Sequence, residues 1–194
     1  MRGGEAGEHR QILAGADPQQ HQNSHTFYMA FTGPMQRQRQ FKVDITKTEE
    51  LVDALVRKPV LVTYDAFDFP NDRAINAYSV KEIVAEKLLA LTDPKRSQPR
   101  DLYDLWYLES EGLVELPLLD DAVARKLKFR GRSGEGLAEA FEKKEKTLQA
   151  TWKARLDSQM ASTPEFETVF RETRRALRQS AIFDLVLQYL KKLG

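Results

Sequence analysis

The segment VKEIVAEKLLAL, from Val80 to Leu91, places a lysine where an amphipathic helix should be most apolar. At about 100° per residue, Val80, Ile83, Val84 and Leu91 share one stripe flanked by Leu88, and Lys87 projects into its middle. An ammonium facing inward must find a carboxylate or a phosphate, lose its proton, or stretch to water along its own methylenes. Carboxylates stand close by in the sequence. The stretch QPRDLYDLWYL, from Gln98 to Leu108, carries Asp101 and Asp104 three residues apart, so both can face one side of a helix. A pairing of Lys87 with Asp101 or Asp104 would keep the amine charged and hold it in place. Each group also has a plain structural reading: the lysine as a snorkelling side chain, the aspartates as helix-start residues that suit the helix dipole.

These residues need elements to position them. Ser79 is a good N-cap and Glu82, three residues on, completes a capping box, which predicts a helix over 79–91. Pro99 suits the first turn of a second helix over 100–110, and the brief loop between the two makes them neighbours. Upstream, HTFYMAFT puts Phe27, Met29 and Phe31 on one face, Gly33-Pro34 marks a turn, and RQFKVDIT puts Phe41, Val43 and Ile45 opposite Lys42, Asp44 and Thr46. Two antiparallel strands are expected, with Asp44 on the polar face. A helix from about Lys47 to Arg57 would turn Leu51, Ala54 and Leu55 inward, and PVLVTY, Pro59 to Tyr64, reads as a further strand. Later helices are expected over 118–128, 134–157 and 164–192, with a break at Ser162-Thr163-Pro164. Strands first and helices afterwards predict an α+β fold, a small mixed or antiparallel sheet followed by a helical C-terminal half.

Composition excludes several classes. The 194 residues hold no cysteine, so disulfide frameworks and thiolate metal sites are ruled out, in keeping with a reducing, cytoplasmic setting. No apolar run approaches the roughly 18 residues of a membrane helix, and the start lacks the apolar core of a signal peptide. The 30 basic and 29 acidic residues leave a net charge of +1, which gives no global pull towards nucleic acid. Locally, Lys126, Lys128, Arg130 and Arg132 form a basic run that could cradle an RNA backbone or simply be a solvated loop. Residues 1–25 show no periodicity and are expected to be mobile; His9, His21 and His25 match no zinc spacing. Tyr103, Trp106 and Trp152 read as packing anchors rather than base-stacking platforms.

Taken together, YSVKEIVAEKLLAL and PRDLYDLWYL resemble the paired motifs of the AbiEii/AbiGii family of nucleotidyltransferase-like toxins from bacterial toxin–antitoxin and phage-defence systems. The resemblance runs from about Phe27 to the C-terminal helices. It implies a partial polymerase-beta-like nucleotidyltransferase core over 26–110 and a helical region over 111–194. It also implies transfer of a nucleoside monophosphate from an NTP to an acceptor such as tRNA, Mg2+ as the metal, and a cognate antitoxin. Carried over by position, Lys87 contacts NTP phosphate and Asp101 is the motif acid, with Asp104 second. Asp44 falls where the fold places a metal-binding carboxylate. Arg100 joins Lys87 as a nucleotide-phosphate candidate, or pairs with an aspartate. The family's first motif, a glycine turn leading to a DxD pair, has no copy ahead of Phe27. That departure points to an N-terminally shortened chain, or to a second reading: an inactive remnant or regulatory subunit that binds nucleotide, RNA or a protein partner.

Overall fold

Alternating residues between Ser24 and Thr46 do form a hairpin. The computed structural model describes residues 13–20, 24–32, 35–46, 48–61 and 74–194, which divide into two compact units at the Glu49/Glu50 boundary. In the first unit, β1 (Leu13–Gln20), β2 (Ser24–Thr32) and β3 (Gln38–Thr46) make an antiparallel sheet in the order β1-β2-β3. The register sets Phe27 opposite Val43 and Met29 opposite Phe41, as the alternation requires, and Thr26 opposite Asp44. The expected Gly33-Pro34 turn lies outside the described residues. β1 falls in the segment without periodicity; it joins the sheet through backbone pairing with β2, interrupted by a register shift between Gly15 and Gln19. Such pairing draws on main-chain groups and needs no alternating side chains.

The helix expected over 47–57 does not form among the described residues. Residues 48–55 carry no helix, and Leu51 and Leu55 are exposed. The cause lies in Glu82, whose Oε2 accepts from the amides of Val52 and Asp53 at 3.3 Å each. Those amides are thereby taken from any local helical ladder. Val56–Pro59 then forms β4, paired antiparallel with β5 (Ala74–Ala77). The expected strand over Pro59–Tyr64 is thus shifted: β4 ends at Pro59, residues 60–61 are in no strand, and 62–64 lie outside the described residues.

Helices follow, as the pattern predicts: α1 (Val80–Leu91), α2 (Pro99–Ser110), a 3-10 turn (Leu116–Leu119), α3 (Asp120–Phe129), α4 (Leu137–Glu142), α5 (Glu145–Leu156), α6 (Phe166–Gln179) and α7 (Ile182–Leu193). The chain is an α+β protein with, among the described residues, two small antiparallel sheets and a helical C-terminal half. Two long helices expected from periodicity are each split in two. The 134–157 stretch breaks at Lys143–Lys144, where Lys144 turns inward and donates to the Arg96 carbonyl and to Ser97 Oγ. The 164–192 stretch breaks at Ala181, which adopts the left-handed conformation at φ 50°, uncommon for a residue with a Cβ. That turn lets α7 pack back on α3. The core joins Val84, Leu88, Leu102, Leu127, Trp152 and Phe170, all essentially inaccessible. Trp152 also donates from its indole to the Pro164 carbonyl at 2.8 Å, and Trp106 to Glu172 at 2.8 Å, so both act as anchors. Among the described residues no helix is long and apolar enough to cross a membrane.

Candidate functional site

The lysine of α1 meets the aspartates of α2. Ser79 caps α1 by accepting from the Glu82 amide at 3.0 Å, which fixes the rotational phase of the helix and leaves Lys87 at the edge of its buried face. Val84, Leu88 and Leu91 are buried as the stripe predicts, whereas Val80 is exposed. Glu82 does not complete the capping box; its carboxylate is spent on the 52–53 amides and on Lys126. The C-terminus of α1 is closed by Thr92, whose Oγ1 donates to the Leu88 carbonyl at 3.0 Å, and by Arg132, which donates to the Leu89 and Thr92 carbonyls at 3.2 and 3.0 Å. Lys144 then holds the loop between the helices at Arg96 and Ser97.

Across that loop, Lys87 Nζ lies 2.9 Å from Asp101 Oδ1 and 2.7 Å from Asp104 Oδ2. Arg96 approaches the other oxygen of Asp101 at 3.5 Å. The three side chains differ in access: Asp101 is 3% exposed, Lys87 21% and Asp104 39%. Burial works to lower the Lys87 pKa, but the hydrogen bonds and charges of Asp104 and Asp101 outweigh it and hold the amine above the usual lysine value. The ammonium is therefore fixed in its charged form. Two of its three N–H donors are engaged by carboxylates.

The remaining expected residues are placed differently. Arg100 is exposed and makes no ion pair with a described residue; it lines a cleft at the start of α2. Asp44 lies in the first unit, on β3, where Thr26 donates to it at 2.6 Å and Lys42 pairs with it at 2.9 Å. Among the described residues, no group of three or more His, Asp or Glu side chains is arranged to hold a metal ion. A two-metal phosphoryl-transfer site needs several such carboxylates, so the described residues do not fit one. The basic run over 126–132 is largely consumed internally: Lys126 pairs with Glu82 and Glu86, Arg130 makes a bidentate contact with Glu86, and Arg132 serves α1. Arg96 and Lys144, which shape the site, were not singled out by motif reading; the cationic loop DPKRSQPR was the only local signal for Arg96.

Fold and site together define a class: an α+β protein whose helical part holds a lysine between two aspartates of the following helix. Comparison with known families gives the particular assignment. The family model described as Nucleotidyl transferase AbiEii toxin, Type IV TA system, matches residues 3–172, and the chain belongs to that family. No curated protein and no solved structure gives a significant match. A type IV toxin–antitoxin family implies a cognate antitoxin.

Proposed function

We propose that the chain transfers a nucleoside monophosphate from an NTP to an acceptor such as tRNA, with Lys87 contacting the nucleotide's phosphate. The observation that carries this reading is the state of Lys87, charged, clamped by two carboxylates and still partly open to solvent with one donor to spare. Asp101, almost fully buried and engaged on both oxygens, fits the role of positioning that ammonium. Asp104 is open enough to release Lys87 when phosphate arrives and to take the proton of the acceptor hydroxyl. In the step itself the hydroxyl oxygen bonds to the α-phosphorus, the bond to the leaving pyrophosphate breaks, and the hydroxyl proton passes to the carboxylate. Family membership supports NTP as donor and metal use, with magnesium as the ion we propose.

The test is labelling of tRNA by radioactive NTP in the presence of magnesium. Lys87→Ala should reduce labelling on the order of 100-fold, the loss typical when one electrostatic stabiliser of a transition state is removed. Wild-type-like labelling by that variant would overturn the role given to Lys87. A second reading has its own support in the lack of a three-carboxylate group among the described residues: a non-catalytic subunit that binds nucleotide, RNA or a protein partner such as the antitoxin. Saturable NTP binding without any labelling would favour it.

A further inference from the structure

A second cationic feature lies on the far side of Arg96. A cleft of about 280 Å3 opens where the start of α2 meets the end of α5, lined by Arg96, Gln98, Arg100, Arg155 and Gln159. Among the described residues no carboxylate lines it. Arg100 and Arg155 have no ion-pair partner among the described residues, and Arg96 has only the 3.5 Å contact with Asp101. Three guanidinium groups gathered this way repel one another, and water screens them only in part. The N-terminus of α2, where Gln98 makes no side-chain cap, adds to the positive potential, offset in part by Asp101 in the first turn.

Size and lining narrow the ligand. The cleft falls just below the roughly 300–1,000 Å3 of pockets that enclose drug-sized ligands. None of its described lining residues is aromatic, so they offer a nucleobase no stacking surface. A tetrahedral phosphate, by contrast, matches planar forked donors from several arginines, and the two glutamine amides supply neutral donors. The basic run over 126–132 offers a useful contrast, since its cations already serve carboxylates and carbonyls inside the fold.

We propose that this cleft holds a backbone phosphate of the nucleic-acid acceptor, an RNA, with Arg96 linking the bound backbone to Asp101 and so to Lys87. The cleft's preference for phosphate stands on its own lining; that the phosphate belongs to an acceptor RNA rests on the transfer reading above. Arg100 is thereby assigned to the acceptor rather than to the NTP.

The experiment is fluorescence anisotropy of a short fluorescein-labelled RNA over a range of salt concentrations, with wild type, the double variant Arg100→Gln/Arg155→Gln, and Lys87→Met. The double variant should weaken RNA binding about tenfold or more and lower the slope of log affinity against log salt by about one per arginine. Its retention of NTP binding and of the thermal midpoint separates this from misfolding. Lys87→Met should bind the RNA as wild type does while losing the labelling activity. Unchanged RNA affinity and salt slope in the double variant would overturn the proposal. So would loss of NTP binding with RNA binding intact, or a wild type that responds to inorganic phosphate and not to RNA. If wild type labels nothing yet RNA binding depends on the two arginines, the transfer reading fails and the cleft assignment stands.

Discussion

Among the described residues, Lys126 and Lys87 are each held by two carboxylates, and they differ in access. Lys126 is 1% exposed, and its ammonium meets Glu82 at 2.5 Å, Glu86 at 2.9 Å and the Glu50 carbonyl at 2.6 Å. All three donors are occupied. Lys87 has a similar pair of carboxylates but sits at the surface with a donor left over. For both, burial pulls the pKa down and the neighbouring carboxylates more than restore it. The charge state is therefore the same, and the difference is access. The sealed triad clamps the 50–53 segment and α1 to α3; the open one stays accessible to solvent. A lysine–carboxylate cluster is thus a functional candidate only when solvent reaches it and a donor remains.

That contrast can be broken first at Lys126. Lys126→Met leaves Glu82 buried without a counter-charge and should destabilise the fold by about 3–5 kcal/mol, read from the urea midpoint. A loss comparable with that of Lys87→Met would erase the distinction between the two lysines. Next comes the asymmetry within the Lys87 triad. Asp101→Asn should cost about 1–3 kcal/mol, because a buried acceptor of two cations is replaced by an amide; Asp104→Asn should cost about 1 kcal/mol or less, as exposed pairs do. Equal costs would mean that the two aspartates share one environment.

The smallest effect is in acid. Burial works to raise the Glu86 pKa, but Arg130 and Lys126 outweigh it and hold that carboxyl below its usual value. Its contribution is complete above the ordinary glutamate value, about 4.3, and is lost as pH falls through the depressed one. The stability gap between wild type and Glu86→Gln should therefore narrow below about pH 4.3, followed by denaturation at a series of pH values. A gap that stays constant into strong acid would show that Glu86 contributes through shape and not through charge.

Much of the helical pair was legible because its signals are local. Ser79 marks the start of α1, Pro99 the start of α2, and a loop of a few residues forces them together, so a meeting of Lys87 with Asp101 or Asp104 could be anticipated; the structure has both. The β2–β3 hairpin was legible for the same reason, since side-chain alternation is a property of neighbouring residues. The irregular path of 48–55 was not: its local pattern favours a helix, and the Glu82 carboxylate that takes its amides comes from another element. The break at Lys144 likewise follows from its bonds to Arg96 and Ser97, and neither it nor the left-handed turn at Ala181 is announced by a glycine or proline.

By itself the sequence determined the α+β class, the β2–β3 hairpin, the α1–α2 pair and the candidate acids for Lys87, because periodicity, caps and short loops act over a few residues. Only the tertiary structure decided which cations are already used. Arg132 and Lys126 find carbonyls and carboxylates more than 35 residues away, whereas Arg155 is brought beside Arg100 with none. Whether a charge is satisfied depends on neighbours that chain folding supplies, and no local pattern encodes them.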